Sequence, residues 1–353
     1  MSSFLGPVMS GKRAQELLDD LPPISYVWRT PVRRPRVSEA DLPDPVAPQR
    51  VTPAMRARLE RIVGRAPEVM VKITGRTKDA GHLKSHLEYI MRNGELTAEI
   101  EQGSLMQGRE GLKDLQSRWT EDTVLDDKRR RDGTVSVNII LSMPPGTDPI
   151  AVKDAVRAFA IETFAANHDY VFVQHLDDKH PHVHLTVRSQ GYDGKRLNPR
   201  KADLATWRER FASELRIRGV AAEATPRRTR GKVRKHDKGT VVALRRRGVV
   251  PETDKGARAD VVRTAKGGVS GSRPWEAKAR ERQAKIRAQY LAHATDLENT
   301  GKGSDRALAN KVREFVAKMP DPETRREQLM RELAATVRRA RTDQDRHSSE
   351  KER

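Results

Sequence analysis

The sequence predicts an α+β fold built on an antiparallel sheet. Three observations lead there. Alternating strand-like and helix-like segments occupy only residues 67–226, two of the strands are joined by few residues as in a hairpin, and both flanks are too polar or too proline-rich to share that core. Of 353 residues 36% are hydrophobic, 4% aromatic and 33% charged, so the apolar residues must be concentrated if any part is to bury a core. The composition shifts mark four segments: a Pro/Arg-rich disordered extension at 1–66, a folded domain at 67–226, a basic linker at 227–274, and a charged helical region at 275–353.

The extension contains PPISYVWRTPVRRPRV and DLPDPVAPQRVTP, where closely spaced prolines deny regular hydrogen bonding. A short helix is expected at most at either end. From Glu68 the run VMVKITG is β-rich and glycine-closed. GHLKSHLEYIMRNG then reads as a helix stopped by Asn93-Gly94. Its Leu83, Leu87 and Ile90 fall at i, i+4 and i+7 and face a core, while His82, His86 and Tyr89 keep the same spacing on a neighbouring polar stripe. GREGLKDLQSRWTED has helical character, and VSVNIILS at 135–142 alternates as a strand.

After the turn PPGTDP, Asp148 and Pro149 introduce an amphipathic helix with Val152, Val156, Phe159 and Phe164 on its apolar face. DYVFVQH and HVHLTVRS form the hairpin. The polar turn GYDGKRLNPRKAD leads into LATWRERFASELRIRGV, a further amphipathic helix ended by glycine. RRTRGKVRKHDKGTVVALRRRG is dense in Arg and Lys, a polyanion contact rather than a core, and GARADVVRTAKGGVSGSRP reads as a linker.

Lys and Arg number 69 against 49 Asp and Glu, a net charge of +20. Such a field attracts polyanions and makes nucleic acid the leading partner. No stretch reads as a membrane span, and no aromatic-rich amphipathic face suits a membrane surface. The chain has no cysteine, which excludes disulfides, thiolate metal sites and cysteine nucleophiles. The N-terminus lacks the pattern of a secretory signal, so the expected location is cytoplasmic.

Four of the ten histidines lie within residues 175–186. On a strand, residues i and i+2 share a side, so His182 and His184 present two imidazoles to one point while Val183 and Leu185 face the core. His175, across the hairpin, supplies a third nitrogen and leaves coordination positions open, as a catalytic metal site requires. His180 precedes a proline in the turn and is a weaker ligand candidate. Asp177 or Asp178 is expected to orient a ligand imidazole by accepting its other N–H. Imidazole suits zinc, manganese, nickel and copper, and magnesium also fits once phosphate and water complete the shell.

A dication beside a phosphodiester neutralises charge on the phosphoryl oxygens, but a nucleophile is still needed. Of five tyrosines, Tyr26 lies in the extension, Tyr170 in a strand, Tyr192 in a turn and Tyr290 in the charged tail. Tyr89 remains, on the polar stripe of the first domain helix; by periodicity alone it is equally an ordinary amphipathic-helix tyrosine. For DNA contact the candidates are Lys72, Arg76, Arg188, Arg196, Asn198, Arg200 and Lys201, each of which alone reads equally as solvated surface charge.

The segments VKITGRTKDAGHLKSHLEYIMRNGEL, NIILSMPPGTDP and the run from DYVFVQHLDDKHPHVHLTVRSQG to ATPRR resemble the relaxases of plasmid mobilisation and conjugation, in the branch that contains the T-DNA border endonuclease. The resemblance spans about residues 68–230, and its His-x-Asp-x-x-x-Pro-His-x-His motif is specific. It implies an HUH-type fold with a central antiparallel sheet flanked by helices and the paired histidines on a central strand. It further implies that Tyr89 is the nucleophile, that His175, His182 and His184 bind a divalent metal (magnesium or manganese, with zinc as a further choice), and that Asp177 supports the site. The implied activity is nicking of one strand at an origin of transfer through a covalent 5′-phosphotyrosine, followed by transfer and rejoining. The implied partners are single-stranded and supercoiled origin DNA, relaxosome accessory proteins and a type IV secretion coupling protein, with export of the protein joined to DNA. As a hypothesis, Arg338, Arg339 and Arg341 belong to a C-terminal export signal. Alternatives are a rolling-circle replication initiator of the same fold and a non-catalytic DNA-binding mobilisation accessory protein.

Overall fold

The computed structural model describes residues 51–124, 133–231, 237, 239–267 and 274–351. The expectation for most of the N-terminal extension therefore falls outside the described residues. Two compact units are present, one of Ala57–Thr225 and one containing the residues from Pro226 onward.

The first unit is built on a six-stranded, wholly antiparallel sheet of order β1-β4-β6-β5-β2-β3. Its strands are β1 (Met70–Thr77), β2 (Ala98–Ile100), β3 (Leu105–Met106), β4 (Ser136–Ser142), β5 (Tyr170–His175) and β6 (His182–Arg188). The helices are α1 (Pro53–Val63), α2 (Ala80–Ile90), α3 (Gly108–Val124), α4 (Pro149–Phe164) and α5 (Lys201–Ile217). The α+β class and the helix-flanked antiparallel sheet are as expected from the sequence. Strands β2 and β3 escape sequence reading because runs of three and two residues show no periodicity.

Strand alternation divides the core in two. Val183, Leu185 and Val187 of β6 join Ile139 and Leu141 of β4 under α4 and α5. There Phe159, Phe164, Trp207 and Phe211 pack edge to face, the geometry the ring quadrupoles favour. On the opposite face Val171 and Val173 meet Leu83, Leu87 and Ile90 of α2 and Leu115 and Trp119 of α3. The predicted stripe of α2 is thus its buried face. Asp79 starts this helix by accepting from the His82 N–H at 2.7 Å, and Asp148 starts α4 by accepting from Ile150.

The second unit contains α6 (Gly239–Arg246), α7 (Glu252–Ala265), α8 (Pro274–Asn299), α9 (Gly303–Ala317) and α10 (Arg325–Lys351). The stretch expected to be a linker at 227–274 therefore holds two helices. Glu252 and Asp254 in the first turn of α7 and Arg263 in its last suit the helix dipole. Asp254, nearly buried, receives two hydrogen bonds from Arg245 of α6. Such pairing across a turn is not visible in composition, which is what suggested a linker. Arg338 and Arg339 are exposed on α10, while the Arg341 side chain lies outside those described. Among the described residues no helix is long and apolar enough to cross a membrane.

Candidate metal and nucleophile site

His175 closes β5 and lies directly opposite His182, which opens β6. His184 follows two residues on, and strand alternation returns it to the same face. One ring nitrogen from each lies within 4.8 Å of the other two. Ring centroids of His175 and His184 are 4.4 Å apart.

Hydrogen bonds to carbonyls decide which nitrogen carries the lone pair in two of the rings. Nε2 of His175 donates to the Ile90 carbonyl at 2.7 Å, and Nδ1 of His182 donates to the His180 carbonyl at 2.9 Å. Because a carbonyl only accepts, the lone pairs fall to Nδ1 of His175 and Nε2 of His182. Burial, and then the neighbouring His175 and His182, pushes the His184 imidazole down to about 3. Burial likewise holds His175 below its ordinary value. Both rings are neutral at neutral pH, the form that binds a metal ion. Three neutral nitrogens without a thiolate fit manganese or zinc by donor type; magnesium, which prefers oxygen, would depend on phosphate and water.

Tyr89 ends α2 on the same face. Its ring is edge-on to His184 at 5.8 Å between centroids and tilted to His175 at 6.3 Å, and it is 53% exposed, open to a large substrate. One turn earlier, His86 Nε2 is 2.9 Å from the Thr186 hydroxyl, tying α2 to the strand that carries His182 and His184. Burial, with His82 adding, pushes His86 down to about 4.

Residues 89–216 match the family model described as the MobA/VirD2-like relaxase nuclease domain. The matched span begins at Tyr89 and takes in all three clustered histidines. The domain belongs to the MobA/VirD2-like relaxases. Among curated proteins the chain is similar to the T-DNA border endonuclease VirD2 of Rhizobium radiobacter, 27% identical over 184 residues that cover 46% of this chain and 43% of the relative. The VirD2 of Agrobacterium fabrum is 27% identical over 182 residues, 46% and 41% of the two chains. The match thus spans less than half the length of these relatives. A solved structure titled "Molecular Basis of Vancomycin Resistance Transfer in Staphylococcus aureus" aligns over 46% of this chain and 99% of its own with a TM-score of 0.32 and 15% identity, too low to bear on function.

The relaxase domain brings some of the remaining sequence candidates to this face and not others. Lys72 is exposed and lies opposite Ile140, which lies opposite His184. These three therefore share a row. A bulge between Ile73 and Gly75 then shifts the register, so that Arg76 pairs with Val137 and through it with Val187, on the opposite face. Arg188, four residues beyond His184, binds Asp169 at 2.9 Å. Arg196 donates to the Thr134 carbonyl. Asn198, Arg200 and Lys201 are exposed where the chain leaves the Arg188 end of β6 and enters α5, away from the end that carries His182.

Neither acidic residue takes the role expected from the sequence. Asp177 accepts from Arg92 at 2.5 Å and Asp178 pairs with His180 at 3.5 Å, while backbone carbonyls take the imidazole N–H groups of His175 and His182. The carbonyls are fixed by the fold, so a carboxylate is not needed there. Arg92 itself was not foreseen. Its guanidinium carbon is 5.1 Å from the Tyr89 ring centroid, and its Nη2 is 3.5 Å from Nδ1 of His175. Its spacing of three residues from Tyr89 was the available signal, hidden by the helix ending at Ile90.

Proposed function

We propose that this relaxase domain nicks one strand of DNA at an origin of transfer of a plasmid or mobile element, with Tyr89 as nucleophile and His175, His182 and His184 as ligands of a divalent ion. The single observation that carries this reading is the packing of the Tyr89 ring against two members of a three-imidazole cluster whose ligand nitrogens lie within 4.8 Å of one another. The phenol oxygen attacks phosphorus, the bond from phosphorus to the 3′ oxygen breaks, and the products are a free 3′-hydroxyl and a 5′-phosphotyrosine. The phenol loses its proton as the leaving oxygen gains one. A divalent ion, when bound, supplies charge neutralisation on the phosphoryl oxygens. His175 and His182 are oriented by the Ile90 and His180 carbonyls, and burial keeps His184 neutral. Lys72, on the row of His184, binds a phosphate of the same strand. Because the phosphotyrosine ester retains the bond energy, the reverse attack by a 3′-hydroxyl rejoins the strand.

On this reading the basic segments beyond the domain add sequence-independent affinity, and the protein acts in the cytoplasm. It is then exported joined to DNA, through a type IV secretion channel with its coupling and accessory proteins. The similarity to VirD2, a T-DNA border endonuclease by name, supports this reading.

The test is cleavage of single-stranded oligonucleotides tiling the DNA on both sides of the gene, with manganese supplied. The expected result is a covalent 5′-linked adduct at one site with the wild-type protein and none with Tyr89→Phe. An adduct that persists in the variant places the nucleophile elsewhere, and cleavage with no adduct argues for a water nucleophile.

A further inference from the structure

Arg92 has no part in the reading above, yet it touches two of the groups that reading uses, Tyr89 and His175. The same guanidinium nitrogen, Nη2, lies 2.5 Å from Oδ2 of Asp177 and 3.5 Å from Nδ1 of His175. That Nδ1 is the nitrogen with the lone pair, since Nε2 of the ring donates to Ile90. The 3.5 Å contact is already a long hydrogen bond to that nitrogen; a closer approach of Nη2 would cap the lone pair fully and put a full positive charge where a divalent ion has to sit.

The backbone fixes the base of the side chain, whose hydrogen-bond partners among the described residues are these two. Arg92, Asn93 and Gly94 have φ of 49°, 55° and 93°, three successive left-handed residues in the turn that follows α2. Gly94 is pressed against the next segment: a Cβ there would stand 2.6 Å from the carbonyl carbon and oxygen of Gly108. The turn is therefore held in place, and the Tyr89 ring flanks the guanidinium on one side. On the other, the same nitrogen divides its contacts between Asp177 and His175.

We infer that Asp177 is a positioning residue that restrains Arg92, an internal competitor for the metal site, by keeping its guanidinium at no more than a long contact with Nδ1 of His175. The inference rests on the metal reading of the histidine cluster. With Asp177 present the guanidinium is retained by a short charged hydrogen bond, and its contact to Nδ1 stays long enough for an ion to displace. Without it, the remaining hydrogen-bond partner of the Arg92 side chain among the described residues is the ring nitrogen. The carboxylate that the sequence assigned to an imidazole thus supports the metal site through the arginine.

The test is a double-substitution cycle read by calorimetric titration of the full chain with manganese. Arg92 is about one-third exposed and Asp177 more than half exposed, so neither change disturbs a core. Asp177→Asn is expected to weaken manganese binding by about tenfold or more, the range seen when support of a metal ligand is lost. Arg92→Gln binds as tightly as wild type or tighter. In the Arg92→Gln background, the further Asp177→Asn change is expected to alter affinity by less than about threefold, because the competitor is gone. Asp177→Glu restores binding.

Equal fold-losses in the two backgrounds would show that Asp177 acts on the ion by its charge alone, and overturn the inference. So would unchanged affinity in Asp177→Asn. If the wild-type chain bound no manganese or zinc, the metal reading itself would fall and this inference with it; additive losses on a wild-type chain that does bind overturn the inference alone.

Discussion

At the scale of the residue, four histidines separated by a few positions are chemically identical in sequence and different in the fold. His184 is 8% exposed and His175 1%, and the N–H groups of His175 and His182 are committed to carbonyls. His180 faces solvent and pairs with Asp178, contributing to the cluster only through its backbone carbonyl. A substitution pair follows from that difference. Free manganese at a hundred times its Kd should stabilise the wild-type protein by about 2.7 kcal/mol, seen as a rise in Tm. His184→Ala should lose that rise, because it removes a ligand nitrogen. His180→Ala should keep it, since the carbonyl that orients His182 remains. Loss in both variants would mean that the ion sits nearer the turn than the strand.

At the scale of the element, one extra residue in β1 decides which cations face the candidate site. Regular alternation would put Lys72 and Arg76, four apart, on one side. The bulge between Ile73 and Gly75 turns Arg76 to the other face while Lys72 stays in the row of His184. If Lys72 binds a phosphate, Lys72→Ala should lower the salt dependence of single-strand binding by about 0.7 in log–log slope, the amount for one phosphate contact. Arg76→Ala should leave that slope unchanged. Equal effects from the two, measured by fluorescence anisotropy across a salt series, would mean that strand polarity at the bulge does not control DNA contact. The turn after α2 shows the same principle. Asn93-Gly94 was legible as a helix stop, but the left-handed backbone that extends to Arg92 is a tertiary outcome, fixed by the close approach of Gly94 to Gly108.

At the scale of the whole molecule, the unit Ala57–Thr225 is closed by an ion pair between segments far apart in sequence. Glu223, fully buried, accepts from Arg61 at 2.8 Å and from the Thr225 hydroxyl, and lies 3.6 Å from Arg58. Its backbone bonds Pro67 and Val69, where β1 is about to begin. Burial alone would raise its carboxyl pKa, but Arg58 and Arg61 with Thr225 hold it below the ordinary value. An unfolded Glu therefore takes up a proton before the folded one does. The pair's contribution is full above about pH 4.3, the ordinary Glu value, and is lost as pH falls through the lower folded value. Glu223→Ala should destabilise the unit by about 3–5 kcal/mol at neutral pH, because two arginines lose a buried partner. The variant should also unfold with a weaker acid dependence, read by urea denaturation at several pH values. A loss below about 0.5 kcal/mol would mark the pair as incidental.

The sequence by itself determined the α+β class, the stripe Leu83, Leu87 and Ile90, the strand that carries His182 and His184, and the convergence of His175 on them. Those features depend on the periods of the helix and the strand, which a linear pattern records directly. Only the tertiary structure decided that Ile90 and His180 carbonyls fix the imidazoles, that Asp177 pairs with Arg92, that Arg76 faces the other side of the sheet, and that Arg188 is taken up by Asp169. Each of these depends on where a backbone group or a bulge arrives after distant segments have packed, and local spacing carries no trace of it.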